Sequence, residues 1–200
     1  MEIGLGLVIA FGIIVIVLLI LVGIYNGLVR TRNQVDNGWS QIDVQLKRRH
    51  DLIPNLVEAV KGAMEFERET LEAVIQARNQ AVKIQADAAP TGGVQQLAAA
   101  EAALSSALGR LNVVVERYPD LKATGNVGQL QEELTSTENR VSFARQLYND
   151  TATTYNVKQQ QFPWNMIAGF AKAEPVELWE ITDEKEREVP KVDLSMKPKQ

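Results

Sequence analysis

The chain has 200 residues, 46% of them hydrophobic and 23% charged, which suits one globular domain with an appendage. A net charge of -4 leaves no broad basic surface, so nucleic acid is not an expected partner. The absence of cysteine rules out disulfides, thiolate zinc sites and a cysteine nucleophile.

Ile3 to Ile24 is an unbroken apolar run of 22 residues. As a helix it reaches roughly 33 Å, enough to cross a hydrocarbon core of about 30 Å. A cleaved signal peptide would need a basic start, a shorter apolar core and a small-residue cleavage site. Here Met1-Glu2 precedes the run and Tyr25-Asn26-Gly27-Leu28-Val29-Arg30 follows it. A retained anchor over residues 1–27, in contact with membrane lipid, is therefore expected. All 21 Lys and Arg residues lie from Arg30 onward. The positive-inside rule then predicts an outside N-terminus and a cytoplasmic C-terminal part.

No proline occurs between Ile24 and Ile53, so the anchor is expected to run on into the first soluble helix. Leu28, Val35, Trp39, Ile42 and Leu46 form its apolar stripe, with Arg32 in register. The charged run Lys47-Arg48-Arg49-His50-Asp51 reads as its C-terminus, where cations suit the helix dipole. Asp51 would then cap a second helix with Pro54 in its first turn. That helix would carry Ile53, Leu56, Val57, Val60, Met64, Leu71, Val74 and Ile75. Ala89-Pro90-Thr91-Gly92-Gly93 is a turn. A third helix carries Leu97, Leu104, Leu108, Leu111 and Val115 and is expected to end near Tyr118-Pro119. Asp120 to Gly128 reads as a loop with a cap at Asn126. The fourth helix carries Val127, Leu130, Leu134, Val141, Ala144, Tyr148 and Tyr155, and stops at Phe162-Pro163.

This pattern predicts an all-α fold in which the transmembrane helix continues into an antiparallel four-helix-type bundle over residues 28–170. Residues 171–200 read as an extended charged tail, docked or loose, with Trp179, the run Asp183 to Glu188, Pro190 and Pro198.

Several blocks resemble the LemA family. They include Asn33-Gln34-Val35-Asp36, Trp39 to Leu46, and Lys47-Arg48-Arg49-His50-Asp51-Leu52-Ile53-Pro54-Asn55-Leu56-Val57. Glu67-Arg68, Ala77-Arg78, Glu138-Asn139-Arg140, Ala144-Arg145, the pairs Tyr148-Asn149 and Tyr155-Asn156, Phe162-Pro163 and Asn165 extend the likeness. The resemblance implies a single-span protein of the bacterial inner membrane with a helical cytoplasmic domain and no enzymatic activity to carry over. Similar domains in magnetosome-associated proteins point to membrane organisation. Family members often have His before the Glu-Arg pair, where this chain has Phe66, so no metal or proton role is expected there.

A di-metal bundle site needs Glu-x-x-His motifs on two helices. His50 is the single histidine and Lys47 stands three residues before it, so no cofactor or metal is expected. With no nucleophile elbow, His50 reads as a capping or solvated residue at a helix junction. Polar residues on or beside the stripes are expected to form a structural network: Glu67, Arg78, Glu138 and Arg145. Tyr148, Tyr155 and Phe162 form a seven-residue ladder that reads either as core or as an intersubunit seam. With Trp164 and Phe170 they make up the candidate interaction surface. The expected function is a non-enzymatic, cytoplasm-facing scaffold, a homo-oligomer that organises membrane proteins. The alternative is an adaptor or sensor for one membrane-protein partner, such as a protease or transporter.

Overall fold

A computed structural model describes residues 2–62, 67–118 and 125–180, with side chains from Gly4 onward. Among the described residues there are five helices and no strand: α1 (Glu2–Lys61), α2 (Arg68–Asp87), α3 (Val94–Val115), α4 (Gly125–Gln160) and α5 (Trp164–Phe170). The fold class is the expected one. Met64, Phe66, Pro119, residues 120–124 and the tail from 181 onward lie outside the described residues.

The boundary between the first two soluble helices differs from the sequence reading. No break occurs at Lys47–Asp51; α1 is a single helix of 60 residues with Pro54 inside it. Two features explain this. The charged run does not lie on one face: Arg49 and His50 are buried, whereas Lys47, Arg48 and Asp51 are exposed. Pro54 has no N–H, which orphans the carbonyl four residues back. That carbonyl belongs to His50, and Arg78 Nε donates to it at 3.1 Å. Helix α4 also starts earlier than expected, at Gly125, so Asn126 lies inside it rather than capping it.

One line of buried positions on the soluble part of α1 runs through Leu28, Thr31, Val35, Gly38, Ile42, Leu46, Arg49, Ile53, Leu56 and Val60, with His50 and Val57 buried beside it. The steps of three and four make this a coiled-coil-like seam. It packs chiefly along α4, while α2 packs on α3 and on the end of α1. Two cores result. The one farther from the apolar run joins Ile53, Leu56, Val60, Leu71, Val74, Leu104, Leu111 and Val127. The nearer one joins Leu28, Val35, Ile42, Leu46, Leu97, Val141, Tyr148, Tyr155, Val176 and Trp179.

The first part of α1 is almost wholly exposed, and its most apolar stretch has a mean hydropathy of 3.5. By length and composition it is able to cross a membrane.

Candidate functional site

Where α1, α3 and α4 meet, four charged or titratable side chains converge between the two cores. Arg49 Nη1 donates to Glu101 Oε2 at 2.9 Å. Its Nη2 reaches Glu138 Oε2 at 2.6 Å and donates to Ser105 Oγ at 2.8 Å. The second Glu101 oxygen, Oε1, is 2.7 Å from His50 Nε2. Arg49, His50 and Glu101 are buried, while Glu138 is about half exposed. An open cleft of about 240 Å³ between α3 and α4 leads from solvent to Arg49 and Glu138, past Asn112, Gln131, Thr135 and Asn139.

The cluster's chemistry is pairing. The guanidinium engages three acceptors and the Glu101 carboxylate bridges two donors, so neither buried charge stands alone. Ser105 Oγ accepts from Arg49. Among the described residues no group of three or more His, Asp or Glu side chains is arranged to hold a metal ion.

His50 is thus neither solvated nor a cap: it is buried on Glu101, because α1 runs past it instead of ending there. Arg49 and Glu101 were missed, although both carry a legible signal. The three-and-four stripe of α1 reaches position 49 after Leu46, and Glu101 fills the seven-residue gap between Leu97 and Leu104.

The four expected network residues are not brought together. Glu138 is ion-paired, with Arg49. Among the described residues Arg78 holds the His50 carbonyl and Asn79 Oδ1, and no carboxylate. Arg145 lies with its guanidinium carbon 5.3 Å from the centre of the Trp179 ring. Glu67 stands at the start of α2, half-buried, without a side-chain capping bond and without an ion pair among the described residues.

The aromatic ladder divides. Tyr148 and Tyr155 are buried inside the chain, and Tyr148 packs against Trp39. They face the α1 seam and leave no surface for a second copy. Phe162 and Phe170 are exposed, and Trp164 is half-buried beneath Lys158. Burial pushes the Tyr148 hydroxyl well above the usual phenol range; the nearby Glu177 carboxylate adds to this and Arg32 opposes it. Its proton is donated to Glu177 O at 2.6 Å.

That bond belongs to a second polar feature, the docking of residues 173–180 along α4. Asn156 holds both backbone groups of Val176: Nδ2 donates to its carbonyl at 2.8 Å and Oδ1 accepts from its N–H at 2.9 Å. One heptad earlier, Asn149 does the same for Trp179, at 3.0 and 2.8 Å. The amides act as a short strand edge mounted on a helix. Glu177 in turn accepts from Val94 N at 2.9 Å and from Gln95 N at 3.4 Å, capping α3, whose own Gly93 has no side chain for the task. Residues 171–180 therefore contribute Val176 and Trp179 to the nearer core.

Comparison with known proteins places these features in a family. The model of the LemA family matches residues 38–194. Protein LemA of Metamycoplasma hominis is 30% identical over 173 residues, covering 86% of this chain and 74% of that protein. Magnetosome protein MamQ 2 of Paramagnetospirillum magneticum is 37% identical over 86 residues, 42% of this chain and 32% of its own length. Magnetosome protein MamQ of Magnetospirillum gryphiswaldense is 25% identical over 172 residues, 75% of this chain and 63% of its own length. The chain thus spans less than two thirds of either magnetosome relative.

Proposed function

The chain belongs to the LemA family, and we propose that it is a membrane-anchored, non-enzymatic scaffold whose helical body faces the cytoplasm and self-associates to organise membrane proteins. The continuity of α1 carries this reading. One helix of 60 residues, about 90 Å at ~1.5 Å per residue, forms both the apolar run and the central seam of the bundle. A body built on such a helix stands at a fixed height and orientation above its anchor, which is what a platform requires.

Orientation follows from the cations. Arg30 and Arg32 follow the apolar run closely in sequence, and no Lys or Arg precedes it in the chain. The excess of Lys and Arg on this side of the span supports a body on the cytoplasmic side of a bacterial inner membrane. Self-association is supported by Phe143, 76% exposed, one turn from Leu147 on the outward face of α4. The magnetosome names of two relatives agree with a membrane-organising role.

The test is the mass of the full-length protein in lipid nanodiscs and in several mild detergents. More than one copy per particle is expected, and Phe143→Glu with Leu147→Glu should return single copies with unchanged helical content. A wild-type protein that is single-copy under every condition overturns the scaffold in favour of an adaptor for one membrane protein.

A further inference from the structure

We propose that α5 and the turn before it form a second membrane contact, the helix lying in the lipid surface with Met166 and Phe170, and with Phe162 of the turn, inserted among acyl chains of the leaflet that α1 leaves. These side chains follow at intervals of four, and their exposures are 76%, 59% and 88%. The opposite side of α5 is committed inward: Ala168 is buried in the nearer core. The occupant of the outer side is fixed by height along α1. Ile167, Phe170 and Ala171 line one hollow, about 370 Å³, together with Leu21, Val22 and Tyr25. Leu21 and Val22 lie within the apolar run, which at roughly 33 Å just fills a hydrocarbon core of about 30 Å. A bilayer that covers those two residues therefore meets Phe170.

The polar surroundings fit a membrane boundary. Lys158 lies 5.6 Å from the Trp164 ring centre and bonds to Gly27 O, while Tyr25, two residues earlier on α1 and about half exposed, lines the hollow with Phe170. Tryptophan, tyrosine and lysine at one level are the residues that sit at the headgroups. Lys172, in the left-handed conformation at φ 48, ends α5 and is exposed at the same level. A short helix with apolar side chains on one side and flanking cations binds lipid by burial and by attraction to anionic headgroups.

Because the chain has no cysteine, single-cysteine substitutions can carry nitroxide labels in the full-length protein. Met166→Cys and Phe170→Cys would be compared with Val17→Cys in the apolar run and Glu132→Cys on exposed α4, in phosphatidylcholine–phosphatidylglycerol vesicles. Collisions with oxygen and with a water-soluble nickel chelate are read. Labels at 166 and 170 are expected to favour oxygen severalfold, as at 17, while 132 favours nickel. Nickel-dominated collisions at 166 and 170 overturn the proposal. So does shielding from both reagents with dipolar broadening, which would seat a second copy there. Neither outcome depends on whether the protein self-associates elsewhere.

Discussion

Arg49 and Glu101 meet at 2.9 Å across the α1–α3 contact, each almost wholly removed from water. An ion pair in that position adds little over an apolar pair, but breaking it leaves a charge stranded. Glu101→Ala removes the buried carboxylate from Arg49 and His50 together and leaves Arg49 only Ser105 and the half-exposed Glu138, so a loss toward the lower end of about 3–5 kcal/mol in unfolding free energy is expected. Denaturant unfolding of the detergent-solubilised full-length protein reads it. The same change at Glu138, half exposed and on one arm of the guanidinium, should cost less. Equal losses at the two positions would contradict the burial argument.

Much of this is legible in the sequence: the apolar run, the stripes of the first, third and fourth soluble segments and the turn at Ala89–Gly93, whereas the second stripe is divided between the end of α1 and the start of α2. The polar cluster is less legible there, because a run of charge resembles a helix end. Lys47 to Asp51 contains four charged residues in five, yet a helix places them on different faces, and Arg49 falls inward by the same steps that place Leu46 and Ile53. The remedy for Pro54 lies 24 residues away at Arg78, and no local pattern announces it. The docking of residues 173–180 was hidden for a related reason. Asn149 and Asn156 read as a second polar face, and only tertiary contact shows that they act as an edge for backbone.

Glu67 contrasts with Glu101. A buried partner would make Glu67→Ala as damaging as loss of Glu101, but Glu67 is half-buried and makes no ion pair among the described residues. Glu67→Ala is expected to change stability by no more than about 0.5 kcal/mol. A loss above about 2 kcal/mol in the same unfolding assay would restore it to the network.

Gly38 lies at a close approach of α1 and α4. A methyl group there would sit 3.2 Å from Tyr148 Cα and 3.4 Å from Thr151 Oγ1. The first neighbour is backbone and cannot rotate away, so Gly38→Ala must separate the helices. Overpacking of this kind costs about 1–3 kcal/mol, against which alanine's better helix propensity returns ~1 kcal/mol. A net loss is expected, with weaker Trp39–Tyr148 packing visible in near-ultraviolet circular dichroism.

Tyr148 predicts a pH dependence. Burial, with Glu177 and Asp36 adding and Arg32 opposing, raises its folded-state pKa above the unfolded value near 10. The unfolded chain then releases the proton first, so the contribution is complete below pH ~10 and declines as pH rises further. Tyr148→Phe should be less stable at pH 7, having lost the bond to Glu177 O, and should show a shallower decline above pH ~10. Lysines titrate in the same range in both proteins, so the difference between the two profiles isolates Tyr148. Parallel profiles would assign the decline to other groups.

Asn149 and Asn156 are expected to hold residues 174–180 in place, and the effect should be local. Each amide satisfies one N–H and one carbonyl of the docked segment, and Gln159 adds a bond to Glu174 O at 3.0 Å. Asn149→Ala leaves both backbone groups of Trp179 without partners beside a buried ring, at about 1–3 kcal/mol for each buried group left unsatisfied. Because the segment is extended and is held to α4 through side-chain amides instead of a backbone ladder, that energy favours its release over unfolding of the bundle. Amide exchange at Val176 and Trp179 should therefore accelerate by roughly tenfold or more, given about 1.4 kcal/mol per factor of ten, while amides of the α1 seam keep their protection. Release also withdraws Glu177 from the start of α3, so Val94 and Gln95 should lose protection together with the segment. Asn156→Asp provides the control: it keeps the acceptor for Val176 N–H but sets a carboxylate oxygen against the Val176 carbonyl. Intermediate exchange is expected there. Unchanged exchange at Val94 when Trp179 opens would show that the α3 cap does not depend on the docked segment.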